Sequence, residues 1–208
     1  MYLHYTNSLI KRLFPHFTWN IKTSSRTIYL TFDDGPIPEV TPWVLAELEK
    51  YKAKATFFCV GDNIKKHANV FEAVLEKGHS IGNHTFNHLN GWKTAHNAYL
   101  ENVRICEDYI PDSEKSVQKL FRPPHGRLTA SQSKALRENY QIIMWSVLSG
   151  DFDRKLAPEV CLKKSVQHTQ AGSIVVFHDS LKAEKNLRYV LPKYLEYFDS
   201  QGFNFEKL

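Results

Sequence analysis

Hydrophobic and polar positions follow two alternating patterns from residue 27 onward. Short apolar runs rich in β-branched and aromatic residues predict seven strands, at residues 28–32, 55–60, 79–82, 120–123, 140–147, 173–177 and 203–205. Segments with apolar residues at helical spacing predict six helices between them, at residues 41–50, 64–77, 94–109, 129–138, 158–169 and 187–200. Strands that alternate with helices in this way are typical of βα units and a parallel sheet.

The spacing of these elements favours one α/β architecture. Seven parallel strands joined by six crossovers occupy about 180 residues, fewer than the ~250 of a typical eight-fold barrel. We therefore predict a single domain of the α/β class, a distorted seven-stranded (β/α) barrel, with a doubly wound open sheet as the alternative. This domain is expected to span residues 27–208, with residues 1–26 as an N-terminal segment packed on it.

The N-terminal segment has apolar pairs at positions 9–10 and 13–14, separated by Lys11 and Arg12. These stretches are too short for a secretory h-region or a membrane span, so no transmembrane segment is predicted. A short amphipathic helix is expected, packed on the core of the domain rather than docked on a membrane. Without a signal peptide the expected location is the cytoplasm, and association with a surface or the periplasm is left open.

Composition and charge narrow the class of protein. The chain has 208 residues, of which 42% are hydrophobic and 24% charged, a balance that can fill a core. Its formal net charge is +5, but the basic residues are dispersed and the longest basic runs are pairs, so nucleic acid is not an expected partner. The 3 cysteines are widely spaced, which predicts buried free thiols rather than disulfides or a thiolate zinc site. None of these features sets the oligomeric state.

Unusual polar residues follow the predicted strands directly, at the end of the sheet where α/β folds carry their chemistry. Asp33 and Asp34 come straight after the first strand and precede Gly35 and Pro36. Two neighbouring carboxylates that lose hydration need a cation, a shared proton or strong hydrogen-bond donors. A solvated turn is the alternative, because Asp, Gly and Pro are common turn residues.

The third strand is followed by His84 and His88, four residues apart. On one face of a helical turn, two imidazoles at this spacing can bind one metal ion, although two surface histidines would show the same spacing. Thr85 stands where zincin sequences carry their glutamate base, so a base must come from elsewhere. Asp33 and Asp34 are the obvious source of a third ligand.

Three later strand ends carry further candidates. Arg122 lies at the end of the fourth strand and can keep a neighbouring carboxylate ionised, while adjacent prolines and Gly126 can hold the main-chain N–H of His125 towards a ligand. Asp151, after the fifth strand, is a candidate orienter for a histidine, and His178 follows the sixth strand. Each alone also suits a structural residue, but their shared rim favours a site.

Five segments carry these residues: TFDDGP (31–36), HTFNH (84–88), RPPHG (122–126), residues 145–151 and VVFHD (175–179). In this order they resemble the motifs of the polysaccharide deacetylase family, the NodB-homology proteins of carbohydrate esterase family 4. The resemblance spans residues 27–180, and TFDDGP with HTFNH is a specific pair. It implies a metal-dependent hydrolase that removes acetyl groups, in the first place N-acetyl, from an amino-sugar-containing polysaccharide or oligosaccharide.

The resemblance implies a role for each matching residue. Asp34, His84 and His88 match the ligands of a divalent metal, usually zinc in this family, with cobalt or another divalent ion as the alternative. Asp33 matches the general base. The residues by themselves leave open which of the two aspartates is the ligand and which is the base.

The resemblance also implies which residues act on the leaving group, the base and the oxyanion. His178 matches the general acid, Asp151 the carboxylate that tunes it, and Arg122 the residue that holds the base. The main-chain N–H of His125 matches the oxyanion donor. The implied partner is an acetylated carbohydrate substrate.

Val176 and Phe152 fall where the family lines the pocket for the acetyl methyl group. Three positions depart from the family: Leu148 replaces a frequent Asp, Phe152 the usual Trp, and His125 a common Tyr. The first two leave pocket shape and substrate length open. Two other functions are therefore weighed: hydrolysis of a small amide, cyclic imide or ureide on the same scaffold, and sugar binding without catalysis.

Overall fold

The computed structural model describes residues 2–111 and 119–208. Within these ranges the strands are β1 (Thr27–Asp33), β2 (Thr56–Cys59), β3 (Ser80–Asn83), β4 (Lys119–Phe121), β5 (Tyr140–Ile142), β6 (Val147–Leu148), β7 (Ile174–His178) and β8 (Asn204–Glu206). The helices are α1 (Ser8–Leu13), α2 (Thr41–Lys50), α3 (Gly61–Lys66), α4 (Ala68–Glu76), α5 (His96–Glu107), α6 (Ala130–Leu136), α7 (Pro158–His168) and α8 (Glu184–Asp199). Short 3₁₀ turns lie at Gly91–Lys93 and Pro124–Gly126.

The strands form one parallel sheet in the order β5-β4-β3-β2-β1-β7-β6, and β8 pairs with the first part of β1. The end strands β5 and β6 are joined by residues 143–146 alone. A flat sheet of seven strands would be about 29 Å across, whereas the Cα steps from Ile142 to Val147 reach at most about 18 Å. The sheet must therefore curl, and the predicted distorted (β/α) barrel is confirmed over the open sheet.

The predicted strand at residues 140–147 was wrong in one respect, because the structure divides it into two. β5 pairs with β4, whereas β6 pairs with β7 at the other end of the strand order. The apolar run is continuous because the crossing residues Ile143 and Met144 are as buried as the strands they connect. The predicted last strand is present as β8, which lies off the seven-strand path.

One predicted helix also differs from the structure. The segment at residues 64–77 is two helices, α3 and α4, which meet at His67 with φ −130° and ψ 48°. No Gly or Pro marks this break, so the continuous apolar periodicity hid it. The other predicted helices are present with shifted ends, and α2 has its predicted bounds.

The N-terminal segment covers the place where the chain crosses from β5 to β6. The main-chain N–H of Thr6 donates to the oxygen of Ser146 at 3.0 Å, and that of Met144 donates to Thr18 at 2.8 Å. The segment thus supplies hydrogen-bond partners to residues that regular strand pairing leaves out. The division of the chain at residue 26 stays a prediction.

The larger core cluster packs the sheet against helices that include α2 and α8. The ring of Phe32 on β1 lies 5.0 Å from that of Phe57 on β2 and 6.0 Å from that of Phe177 on β7. These neighbouring strands therefore present one aromatic layer to the helices. None of the described helices combines the length and the apolar composition that crossing a membrane requires.

We expect Trp19→Ala to destabilise the fold by about 3–5 kcal/mol, because it empties a buried site in the second core cluster. Trp19 is 8% exposed, and its indole N–H donates to the main-chain oxygen of Phe14 at 3.0 Å. Urea unfolding measures the change. The control is Leu9→Ala, 64% exposed in the same segment, which should stay within about 0.5 kcal/mol. Equal effects of the two substitutions would contradict a structural role for the segment.

Candidate active site

Four strands bring the candidate residues to the same rim of the barrel. Asp33 ends β1 and pairs in register with His178, at the end of β7. His84 directly follows β3 and Arg122 directly follows β4, and the last residues of these two strands pair with each other. Parallel pairing places the carboxyl ends of strands at one edge. Residues far apart in the sequence therefore share one site.

Asp34, His84 and His88 each offer one ligand atom, and these atoms lie within 4.8 Å of one another. Oδ1 of Asp34 lies 3.1 Å from Nε2 of His88 and 3.8 Å from Nε2 of His84. A carboxylate and two imidazoles are donors that zinc and similar divalent ions accept. The three side chains therefore form a candidate site for one divalent metal ion.

The two histidines converge without a helix, so the expected helical face was wrong. Thr85 and His88 have φ values of 63° and 54°, in the left-handed region. Side chains shape the turn in place of helical backbone bonds: Asn83 Oδ1 accepts the N–H of Thr85 at 2.9 Å, and Thr85 Oγ1 accepts that of Leu89 at 3.0 Å. A tight turn at the end of β3 therefore brings the imidazoles together.

His84 is held in the tautomer that a metal ligand requires. Its Nδ1 lies 2.7 Å from the main-chain oxygen of Arg122. A carbonyl oxygen only accepts, so Nδ1 carries the proton and Nε2, on the side of Asp34, keeps its lone pair. Burial lowers the pKa of His84 to about 4. The ring is therefore neutral at pH 7.

Backbone contacts fix the position of Asp34, and neighbouring groups keep its carboxylate ionised. Its φ of 83° turns the chain sharply after β1, and Asn63 Nδ2 donates to its main-chain oxygen at 2.7 Å. Burial alone would raise the pKa of Asp34, but a hydrogen bond with His88 and the charges of His178, His88 and His84 hold this pKa below its ordinary value. Asp34 therefore offers an ionised carboxylate to the candidate metal site.

Asp179 positions the turn that carries both aspartates, and the sequence reasoning assigned it no role. Its Oδ1 accepts the N–H of Gly35 at 3.0 Å, and its Oδ2 accepts the hydroxyl of Thr41 at 2.6 Å. A Cβ at Gly35 would collide with this carboxylate, so only glycine fits. Burial raises the pKa of Asp179 to about 8. The available signal was its place directly after His178 in a matching motif.

Arg122 is completely buried beside Asp33. Its Nη1 donates to Asp33 Oδ1 and to Thr31 Oγ1, each at 2.7 Å. Nε and Nη2 donate to the main-chain oxygens of Ile143 at 3.2 Å and Met144 at 3.0 Å. A charge-assisted bond from a guanidinium held this firmly fixes one oxygen of the Asp33 carboxylate.

Asp151 holds His178 through both its backbone and its ring. Oδ2 accepts the main-chain N–H of His178, and Oδ1 lies 2.8 Å from Nδ1 of the ring. Burial alone would lower the pKa of His178, but the charge and hydrogen bond of Asp151, helped by Asp34 and Asp33, raise it to about 9. The ring is therefore protonated at neutral pH. With Nδ1 bonded to Asp151, Nε2 is the atom that can donate a proton.

A cavity of about 520 Å³ collects most of the predicted residues. Those on its wall are Asp33, Asp34, His84, His88, His125, Phe152, Val176 and His178. Arg122 and Asp151 are bonded to two of them from behind. A second cavity, of about 310 Å³, shares Asp34 and His88 with the first, so the candidate metal site borders both.

The N-terminal segment supplies part of the cavity wall, a role that the sequence reasoning missed. Its lining residues are Tyr2, Leu3, Thr6, Ile10 and Trp19. The Tyr2 hydroxyl donates to Asp153 Oδ2 at 3.1 Å, and its ring lies 5.0 Å from that of Phe152. No residue of the segment carried a chemical signal, because its contribution is one of position in the fold.

Comparison with known proteins agrees with this arrangement. Residues 20–141 match the model of the family described as polysaccharide deacetylase. A peptidoglycan-N-acetylglucosamine deacetylase of Bacillus cereus is 35% identical over 207 residues, which cover 95% of this chain and 94% of that protein. A chitooligosaccharide deacetylase of Azorhizobium caulinodans is 28% identical over 209 residues, which cover 90% and 95%.

A crystal structure of a peptidoglycan N-acetylglucosamine deacetylase, in complex with 4-naphthalen-1-yl-N-oxidanyl-benzamide, has the same fold. Its TM-score is 0.85 at 28% identity, and the match covers 93% of this chain and 91% of that one. The predicted enzyme class, a carbohydrate deacetylase, is thereby confirmed. From its motifs, its fold and these likenesses, the chain belongs to the polysaccharide deacetylase family, carbohydrate esterase family 4.

Proposed function

We propose that the protein hydrolyses N-acetyl groups of an amino-sugar-containing polysaccharide or oligosaccharide. The proposal depends on one observation: a candidate metal site, a carboxylate held by Arg122 and an imidazole held by Asp151 meet at one cavity. Metal-assisted hydrolysis of an amide needs these three parts. The similarity to a peptidoglycan-N-acetylglucosamine deacetylase and a chitooligosaccharide deacetylase supports an amino sugar as the substrate.

Asp34, His84 and His88 would hold the metal, and we propose zinc, with cobalt or another divalent ion as the alternative. An ionised carboxylate and a neutral imidazole with a free Nε2 suit a catalytic zinc site, which keeps three protein ligands and one open position. When bound there, the ion supplies Lewis-acid chemistry for a water and for the acetyl carbonyl.

Asp33 is the proposed general base. It lines the cavity, and Arg122 holds its Oδ1 from the buried side. A carboxylate fixed in this way can accept a proton from the attacking water without first changing its position. Arg122 therefore acts on the reaction by positioning Asp33.

His178 is the proposed general acid. An amine leaves an acetyl group readily only when its nitrogen gains a proton. Nε2 of His178 can supply that proton, because Asp151 keeps the ring charged and turned through Nδ1. Base and acid are thus two separate residues with two separate supports.

The main-chain N–H of His125 is the proposed donor to the developing oxyanion, an interaction typically worth about 3 kcal/mol. His125 and Gly126 have φ values of 60° and 66°, a left-handed turn that follows two prolines and fixes the direction of these peptides. Val176 and Phe152 line the same cavity and would enclose the acetyl methyl group.

Sugar binding without catalysis predicts the loss of at least one metal ligand or proton carrier. The described residues retain every one that the family resemblance implies, from Asp33 to His178. This favours catalysis. Hydrolysis of a small amide, cyclic imide or ureide uses the same machinery, so only the choice of substrates separates it from the proposed function.

Acetate release from acetylated chito-oligosaccharides, peptidoglycan and xylan fragments tests the proposal. We expect the zinc-loaded protein to act on amino-sugar substrates, and Asp33→Asn to lower kcat at least ~100-fold, because the proton acceptor is lost. Circular dichroism and zinc content should stay unchanged. The control is Asp108→Asn, an exposed carboxylate paired with Arg104 on the outside of the barrel. Full activity of folded Asp33→Asn would refute the base, and turnover of small amides alone would refute the sugar substrate.

Removal of the metal with a chelator should abolish acetate release, and added zinc should restore it. His88→Ala should lower zinc affinity and prevent this recovery, because it removes one of three ligands. Metal content per chain, measured by mass spectrometry after dialysis, checks the binding. His16→Ala alters an exposed histidine in the N-terminal segment and serves as the control. Unchanged zinc binding by His88→Ala would contradict the assigned site.

The alkaline side of the pH profile should report His178. Its pKa is raised to about 9, so kcat/KM should fall as the pH rises through this value and the acid loses its proton. Asp151→Asn removes the charge that opposes burial, so the fall should move to lower pH, towards or below about 6.5. Asp199→Asn, an exposed carboxylate at the end of α8, should leave the limb in place. An alkaline limb that does not move in Asp151→Asn would exclude His178 as its source.

A further inference from the structure

Trp92 is a large side chain in solvent near the proposed active site. It is 65% exposed and lies in the 3₁₀ turn Gly91–Lys93, four residues after the metal-site residue His88. Single exposed apolar residues are common and need no explanation. The exposure of Trp92 becomes informative only because of how its ring is held and what lies next to it.

Two hydrogen bonds hold Trp92 in place. Its indole Nε1 donates to the main-chain oxygen of Leu128 at 2.9 Å, and its main-chain N–H donates to the side-chain oxygen of Asn90 at 3.0 Å. The indole has one donor, and this donor has a protein partner. The ring is therefore held in one orientation although most of its surface faces solvent.

The backbone beneath the ring is anchored as well. Buried Gln132 donates to the main-chain oxygen of Gly91 at 3.0 Å. A Cβ at Gly91 would collide with the main-chain oxygen of Arg127, so the turn packs directly on the chain that follows His125. The turn thus ties the loop that carries His88 to the loop that carries the proposed oxyanion donor.

Arg127 connects the ring with the cavity. Its guanidinium lies 4.9 Å from the centroid of the Trp92 ring, and it lines the cavity together with Asp33 and His178. A guanidinium over an indole is a favourable cation–π contact and still offers hydrogen-bond donors at its edge. The guanidinium over the indole leaves the rest of the exposed ring to a ligand, with the donors of Arg127 next to it at the rim.

We propose that Trp92 and Arg127 form a subsite for a sugar ring of the substrate chain, outside the cavity that receives the acetyl group. This inference rests on the proposed function. A pyranose ring has an apolar face of C–H bonds and an edge of hydroxyl groups. The indole matches the face and the guanidinium the edge. The ligand class is thus a chain of sugar rings rather than a small amide.

A comparison of substrates with and without a sugar chain distinguishes an effect of Trp92 on sugar binding from an effect on the chemical step. Trp92→Ala should raise KM for a hexamer of N-acetylglucosamine about three- to tenfold and leave kcat within about twofold, because stacking is lost while the catalytic residues stay in place. Hydrolysis of a small phenyl acetate, which has no sugar to stack, should not change. Trp92→Phe should recover part of the lost affinity, since it keeps an aromatic face.

The matched control is Tyr197→Ala, which removes an aromatic ring that is 45% exposed on α8. It should change the hydrolysis of neither the hexamer nor the phenyl acetate. An unchanged KM for the hexamer in Trp92→Ala would overturn the subsite. Equal losses on the hexamer and on the phenyl acetate would also overturn it, because they would show that Trp92 only supports the loops. If the wild-type protein hydrolyses the phenyl acetate but no acetylated sugar, the proposed function itself fails and the subsite with it.

Discussion

The buried guanidinium of Arg122 is the contact on which the rest of the site depends. Its donors reach Thr31 and Asp33 on β1 and the segment that crosses from β5 to β6, and its Cζ lies 4.1 Å from the centroid of the Phe58 ring on β2. A buried charge without partners costs several kcal/mol, so the strand ends must stay where these donors are satisfied. The main-chain oxygen of the same residue fixes the tautomer of His84. One residue therefore links barrel closure, the proposed base and a candidate metal ligand.

Much of the site could be predicted because its residues directly follow apolar runs. Asp33, His84, Arg122 and His178 each stand at or just after the end of a strand, and parallel pairing leaves them no other common place than one rim. The crossing at residues 143–146 could not be predicted, because an apolar run reads the same whichever neighbour it pairs with. Curling brings the two edges of the sheet close enough for this short run to join them.

The unpredicted parts depend on contacts between residues that are distant in the sequence. The histidine pair has the spacing of a helical turn, yet Asn83 and Thr85 shape a different turn with their side chains. Asp179 looks like an ordinary residue after a strand until Gly35 and Thr41 are seen to bond its carboxylate. Local sequence patterns predict secondary structure and candidate catalytic residues. They do not predict the side-chain hydrogen bonds that decide how a loop folds.

The proposed base Asp33 and the proposed acid His178 are held by different parts of the structure. Arg122 fixes Asp33 from inside the barrel, whereas His178 also borders a wall that the N-terminal segment completes. The ring of Phe152 lies 5.0 Å from that of His178 and 5.0 Å from that of Tyr2. Leu148, a departure from the family, lines the same cavity, and its backbone is bonded to that segment: its N–H donates to the main-chain oxygen of His4, and its main-chain oxygen lies 3.0 Å from Nδ1 of His4. Changes in this wall can therefore reshape the cavity and reach the proposed acid through the contact with Phe152, while the candidate metal site and the proposed base keep their separate support.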